Sequence, residues 1–242
     1  MKRTLVFGDI HGALRALIEL IQKINLHQTD RLIFLGDYVD GWSQSAQTID
    51  YLIALGKTND CIFIKGNHDV WAQDWLSGKQ PNETWLRHGG RETIESYKNY
   101  PKELRSLHLI FFNNLQNYFI DKENRLFIHA GFSSMHGPVK EMYASNFSWD
   151  RTLWEMALAM DKALVRTSKL FPKRLLLFNE IYLGHTPTTN YDVAVPMQAC
   201  NVCNADTGAA FFGKISAIDI ETKKYWQSEA CYKLYPNETG RN

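Results

Sequence analysis

Residues 31–45 read RLIFLGDYVDGWSQS. An apolar run of strand length, Arg31 to Leu35, meets a glycine, and the turn behind it carries two carboxylates, Asp37 and Asp40. Branched and aromatic residues bounded by Gly and Asp predict a strand and then a turn. The same plan recurs on either side. KRTLVFGDIHG (2–12) reads as strand and turn, followed by ALRALIELIQKI with apolar residues at helical spacing. SAQTIDYLIALGK reads as a second helix closed at Gly56, and it leads into CIFIKGNHD (61–69), a third strand and turn. Successive β-loop-α units predict an α/β domain of mostly parallel strands, in which ligands sit outside the C-terminal strand ends.

From Trp71 to Asn124 the chain is helical in pattern, after which RLFIHAGF (125–132) returns to strand and turn. Residues 133–172 read as a second mainly helical segment, placed to cap the strand ends. The stretches IYLGHTPT and CNADTGAAFFGKISAIDIETKKYWQSE alternate branched or aromatic residues with polar ones, the pattern of a hairpin or a second sheet. No repeat, low-complexity tract or linker divides residues 1–242, so a single domain is expected. With 27 Lys+Arg against 26 Asp+Glu the net charge is +1, which gives no electrostatic case for nucleic acid or an anionic membrane surface. No apolar run is long enough to cross a bilayer, and the sequence reads as cytoplasmic. Four cysteines are too few for a disulfide scaffold, and CNVC (200–203) is one CxxC without a second pair, read as ordinary thiols.

The polar residues concentrate where parallel strands would end: Asp9 and His11 in GDIHG, Asp37 and Asp40 in GDYVDG, Asn67 and His68 in GNHD, His129 in HAG, His185 in GHT. Singly, each has a plain structural reading as a turn acid, a structural histidine or a helix N-cap. Jointly they supply oxygen and nitrogen ligands without thiolates at one end of successive strands, a donor set suited to transition metals of mixed N/O preference.

The ordered motifs GDxHG, GDxVD, GNHD, HAG and GHT resemble the calcineurin-like metallophosphoesterases. Within them the chain is similar to the branch of the Ser/Thr protein phosphatases, their bacterial relatives and the symmetrical diadenosine tetraphosphate hydrolases. The resemblance extends from Asp9 to the segment Asn204 to Glu221, similar to that branch's terminal hairpin. It implies a four-layer αββα sandwich with a dinuclear metal site at the C-terminal strand ends. It implies that Asp9 and His11 bind one ion, that Asp37 bridges both, and that Asn67, His129 and His185 complete the second, the ions being Mn, Fe or Zn. His68 would protonate the leaving oxygen with Asp40 orienting its ring. The implied activity is hydrolysis of phosphomonoesters by a two-metal-activated hydroxide, protein Ser/Thr phosphatase-like, on a phosphorylated protein or a small phosphoester. The alternatives are hydrolysis of dinucleoside polyphosphates on the same metals and, in another class, a metal-binding scaffold without turnover.

The pattern departs from the branch at one place. Relatives read GDxVDRG, with the arginine over the substrate phosphate, whereas this chain has Gly41 and Trp42. Glycine cannot grip two phosphate oxygens as a guanidinium does. Lys65, Arg87, Arg91 and Arg151 are the candidate replacements, each with a competing reading as a solvated surface charge. Trp42 reads either as an indole that stacks on an aromatic substrate or as a core aromatic under the loop.

Overall fold

The computed structural model describes residues 2–241, so Met1 and Asn242 of the expected domain lie outside the described residues. The apolar runs β1 (Thr4–Phe7), β2 (Arg31–Phe34) and β3 (Asp60–Phe63) pair in parallel, Thr4 opposite Arg31 and Arg31 opposite Asp60. Two later strands, β9 (Ser216–Asp219) and β10 (Tyr225–Gln227), add antiparallel to give the order β10-β9-β1-β2-β3. The second sheet has the order β4-β5-β6-β8-β7, built from Tyr118–Ile120, Arg125–Ile128, Glu180–Leu183, Met197–Ala199 and Val202–Asn204 as β4 to β8. The C-terminal β pattern therefore divides between two sheets.

Alternation along the strands creates the layers. In β1 and β2, Leu5, Phe7, Leu32 and Phe34 face one way into a core shared with helix α1 (Leu14–Ile24) and helix α2 (Ser45–Thr58). Val6 and Ile33 face the other way, against Phe127 and Tyr182 of the second sheet. Leu126, Ile128, Ile181 and Leu183 turn outward onto a third core. A strand buried on both faces needs a continuous apolar run, which is what TLVF and RLIF supply. Between the sheets Phe127 stacks on Tyr182 at 5.2 Å and 10°, and each large side chain buried there contributes roughly 1.5–3 kcal/mol. The result is the expected αββα order. The sheets are stitched at one edge by Gln116, whose N–H donates to the Phe63 carbonyl (2.9 Å) while its own carbonyl accepts from Lys65 (2.8 Å).

Helix α1 packs through Ala16, Leu17, Leu20 and Ile24, an apolar stripe at helical spacing, and stops at Asn25 in a left-handed conformation (φ 50°). Three expectations need correction. Helix α2 runs through Gly56 to Thr58 instead of closing at the glycine. The segment 71–124 is helical only as far as Asn113, through α3 (Asn67–Leu76), a short turn α4 (Glu83–Trp85), α5 (Arg91–Ser96) and α6 (Lys102–Asn113). Beyond that, Tyr118–Ile120 pairs with β5 because its side chains find partners on the sheet.

The segment 133–172 is mostly irregular. Its regular pieces are a 3-10 turn at Pro138–Lys140, α7 (Asn146–Trp149) and α8 (Thr152–Leu158); α9 (Lys173–Leu176) follows it, and α10 (Cys231–Leu234) comes late in the chain. Gly137 and Pro138 break any helix there, and a side chain does the work of a backbone ladder. Glu141 accepts from the N–H groups of Ser133 (2.6 Å), Ser134 (3.0 Å), Met142 (3.0 Å) and Tyr143 (3.3 Å) and from Asn146 Nδ2 (3.1 Å). All four cysteines are free thiols, and no helix among the described residues is long and apolar enough to cross a membrane.

Partial burial pushes the Glu141 carboxyl up, but the N–H groups of Ser133, Ser134 and Tyr143 prevail and hold it at about 2. A folded pKa below the unfolded value of about 4.3 means that the unfolded chain binds more protons, so this stabilisation is full above that value and is lost as pH falls through the folded one. Denaturant unfolding of wild type across acid pH should show that loss. Glu141→Gln should be less stable near neutrality and have a flatter pH profile, and an unchanged slope would contradict the assignment.

Candidate metal centre

Strands β1, β2 and β3 of one sheet and β5, β6 and β8 of the other run parallel within their sheets. Their C-terminal ends meet where the sheets face, and each ends in a polar residue: Asp9 and His11 after β1, Asp37 and Asp40 after β2, Asn67 and His68 after β3, His129 after β5, His185 after β6 and Asp206 after β8. All nine are buried, none more than 8 % exposed. His11, Asp37, Asp40 and His185 are non-glycine residues with φ of 53 to 73°, a conformation that costs of order 1–3 kcal/mol each and persists only where neighbours over-determine it. The neighbours are hydrogen bonds between strand ends. Ile10 and His11 donate to the Asp37 carbonyl (3.0 and 2.9 Å), Trp42 donates to the His11 carbonyl (3.0 Å), and Gly184 donates to the His129 carbonyl (2.8 Å).

Asp69, at the third position of α3, is the densest junction. Its carboxylate accepts the N–H groups of Asp37 (2.9 Å), Tyr38 (2.9 Å) and Gly66 (2.8 Å), joining the ends of β2 and β3. Asp37 in turn accepts the His68 N–H at 3.0 Å. Burial and the charge of Asp37 lift Asp69 to about 8, against the pull of the Tyr38 and Gly66 donors.

The ring nitrogens divide their duties. His11 Nδ1 lies 3.2 and 3.1 Å from the carbonyls of Val39 and Asp40, and His129 Nδ1 lies 2.9 Å from that of Leu35. A ring nitrogen beside carbonyls carries the proton, which leaves Nε2 to face inward with its lone pair open to a cation. His11 Nε2 is 3.7 Å from Asp9 and 3.6 Å from Asp37; His129 Nε2 is 3.4 Å from Asp37 and 3.2 Å from Asn67 Oδ1. His185 Nε2 is buried and has no hydrogen-bond partner among the described residues.

Two groups, His11–Asp37–His68 and Asp37–His129–His185, each bring their ligand atoms within 4.8 Å of one another, and Asp37 belongs to both. His68 falls in the first group by distance, yet its Nδ1–H is committed to Asp40 Oδ2 at 2.6 Å. Burial and the charge of Asp9 also lift Asp206 to about 8, with that of Asp37 adding, and burial lifts Asp9 to about 7 against the pull of His129. Burial opposes protonation of His129, but Asp37 beside it carries the imidazole up to about 10. Such a pocket holds more carboxylate than its own histidines neutralise, and cations fit its oxygen and nitrogen donors.

Asp40 is completely buried and saturated by donors. Besides His68, its oxygens accept from Trp85 Nε1 (2.7 Å) and Thr93 Oγ (2.6 Å), and its own N–H donates to Thr93 (3.0 Å). Burial pushes the carboxyl up to about 7 while Thr93 and Trp85 pull it down. Three converging donors match a carboxylate, which leaves the His68 Nδ1–H as donor and its Nε2 toward the cavity. Trp85 and Thr93 come from the helical segment that follows β3, and the strand-end motifs give no sign of them.

A cavity of about 270 Å³ lies in front of the cluster, lined by His11, Asp37, Asn67, His68 and His185 together with Trp71, Trp149, Arg151, Asp206 and Arg241, among others. Of the substrate-side residues expected from the sequence, only Arg151 reaches it. Lys65 is turned to Gln73 (3.3 Å), Arg87 is exposed away from it, and Arg91 lines a separate depression with Glu92 and Glu238. Trp42 is fully buried, donates its indole N–H to the Ala209 carbonyl (2.7 Å) and stacks on Tyr235, so its core reading holds and its stacking reading does not. The strand-end motifs do not single out Asp206, Trp71, Trp149 or Arg241, all of which line the cavity. Asp206 lies inside the terminal motif already quoted; Arg241 carries no local signal.

A family model described as calcineurin-like phosphoesterase matches residues 2–213. Over 88 % of this chain and 88 % of its own length, the asymmetrical bis(5'-nucleosyl)-tetraphosphatase PrpE of Anoxybacillus flavithermus is 24 % identical. The symmetrical bis(5'-nucleosyl)-tetraphosphatase of Neisseria meningitidis is 25 % identical over 92 % of this chain and 94 % of its own. A protein serine/threonine phosphatase structure from Saccharomyces cerevisiae superposes with a TM-score of 0.59 at 14 % identity, covering 95 % of this chain and 80 % of that one, a likeness of fold.

Asp69→Ala leaves three buried N–H groups without an acceptor and should lower unfolding stability by about 3 kcal/mol or more, with weaker Mn²⁺ binding by calorimetry; Asp69→Asn should fall between. Because His129 is carried up to about 10 and Asp9 to about 7, metal uptake should release protons, and it should weaken as pH falls below about 10 and more steeply below about 7. Titrations in buffers of different ionisation enthalpy measure that release, and its absence would rule out these two groups as ligands.

Proposed function

The chain belongs to the calcineurin-like phosphoesterases, and from that membership we propose that it hydrolyses a phosphoanhydride of the dinucleoside polyphosphate type. This reverses the order of the two readings drawn from the sequence, which put a protein phosphatase first. The observation that carries the reversal is the whole-length similarity to bis(5'-nucleosyl)-tetraphosphatases of both kinds. The rim of the cavity agrees with it. Trp149 is 41 % exposed there and lies edge-to-face with Trp71 at 5.3 Å, and exposed indoles beside a phosphate site give a nucleobase a face to stack on.

In this reading Asp9, His11, Asp37, Asn67, His129 and His185 hold two divalent ions. Bound there, such ions would supply Lewis acidity at the phosphoryl group and lower the pKa of a water toward neutrality. Only Asp9 and Asp37 in that set are carboxylates, so a centre loaded with two divalent ions would keep a net positive charge that attracts phosphate. As the imidazolium, His68 would deliver a proton from Nε2 to the departing oxygen; burial drives the free ring toward the neutral form, so that proton is taken up at Nε2 beforehand. Asp40 fixes the ring orientation through Nδ1 and stabilises the imidazolium, while Trp85 and Thr93 keep Asp40 in place. Arg151 stands at the rim on the side of His185, where its charge is felt by that imidazole.

Mn²⁺-loaded protein should hydrolyse diadenosine tetraphosphate with a higher kcat/KM than p-nitrophenyl phosphate or phosphopeptides. A preference for phosphopeptides would restore the protein-phosphatase reading, and no turnover on any of them would leave the scaffold. His68→Ala separates the two chemistries. Loss of a general acid costs about 10²–10⁴-fold when the leaving oxygen is a basic alkoxide, and it should cost far less on an anhydride, whose leaving phosphate is already a weak base.

A further inference from the structure

The segment 235–241 returns to the candidate centre across the β2 loop. Tyr235 stacks on Trp42 at 5.1 Å and 28°, donates its hydroxyl to Gln44 (2.5 Å) and accepts the Arg15 N–H (3.0 Å). Glu238 accepts the N–H of Ser43 at 2.9 Å and its hydroxyl at 2.7 Å. Gly240, at φ 62°, lies flat on the indole, where a Cβ would come 2.8 Å from the Trp42 ring. Arg241 then donates its N–H to the Ala210 carbonyl (2.8 Å) and passes its side chain over Gly41, whose absent Cβ would lie 3.2 Å from Arg241 Cγ. Gly41 and Trp42 thus make, respectively, the space and the floor for this approach.

Arg241 lines the cavity on the side of His11, whose carbonyl shares the space over Gly41 with the arginine stem. Its guanidinium makes no hydrogen bond or ion pair among the described residues; its Nε is buried without a partner, and its one aromatic contact is Phe211, 5.2 Å from the ring centre. Its charge is felt by Asp9, His11 and His68, whereas that of Arg151 is felt by His185. A buried guanidinium nitrogen left unpaired is costly unless a ligand completes it, and its planar fork matches two oxygens of one phosphate.

We propose that Arg241 is the phosphate clamp of this centre, gripping non-bridging oxygens of the bound phosphoryl group from the His11 side and brought there by a segment far in sequence from the strand-end motifs. The proposal rests on the phosphoanhydride reading for its substrate but not for its ligand, which is any phosphate group.

The test uses Mn²⁺-loaded full chain and inorganic phosphate as the probe. Arg241→Ala should weaken phosphate binding by calorimetry at least tenfold and lower kcat/KM on diadenosine tetraphosphate about 10²-fold, the loss typical of one preorganised donor. Metal content by elemental analysis and melting temperature should stay unchanged. Arg241→Lys should recover only part, since an ammonium is a point charge, and guanidinium ion added to the Ala variant should restore activity. Wild-type phosphate affinity and turnover in Arg241→Ala would overturn the clamp while leaving the hydrolase intact. Loss of phosphate binding only together with loss of metal or of folding, in both variants, would overturn it in favour of a structural role. If wild type turns over none of the substrates yet phosphate binding still depends on Arg241, the clamp stands and the substrate reading fails.

Discussion

The carboxylate of Asp69 ties the candidate centre together. It collects three backbone N–H groups from the ends of β2 and β3, and one of them belongs to Asp37, the residue common to both candidate ligand groups. Asp37 sits at a positive φ, which an aspartate adopts only at a cost; the Asp69 bond from its N–H is what makes that backbone worth adopting. Without that bond the Asp37 N–H would be left buried and unpaired, at the turn that sets its carboxylate 3.6 Å from His11 and 3.4 Å from His129. The site is thus preorganised by a residue that does not line the cavity.

A second constraint comes from the two sheets. Asp9, Asp37 and Asn67 come from one, His129 and His185 from the other, so the candidate ligand set exists only while Val6, Ile33, Phe127 and Tyr182 keep the sheets packed. Stability and site geometry therefore share one core. Around it lies a shell that the motifs do not contain: Trp85 and Thr93 hold Asp40, Glu141 holds the loop leading to Trp149, and Tyr235 holds Trp42.

The pair Gly41–Trp42 illustrates how a local departure can be half of a longer-range one. In the sequence it is a missing arginine and an unplaced indole. In three dimensions the indole is buried under Gly240 and the glycine lies beneath the stem of Arg241. Two changes that look like losses in one loop make sense only with the segment packed on it.

By itself the sequence determined the parallel α/β plan and the strand-end polar set, because continuous apolar runs and glycine turns leave direct marks in TLVF, RLIF, GDIHG and GNHD. The family resemblance, not the residue pattern alone, implied Asp40 as the partner of His68, and the two lie 2.6 Å apart. The sequence did not determine the helix end beyond Gly56 or the irregular course of 133–172, where side-chain hydrogen bonds from Glu141 replace a periodic signal. Nor did it rank the basic residues: Lys65, Arg87, Arg91 and Arg151 are each only a charge in one dimension. Only the tertiary structure decided which charges face the cavity, since Arg241 is separated from Gly41 by nearly the whole chain and is brought beside it by packing of aromatic rings and backbone, contacts that leave no periodicity to read.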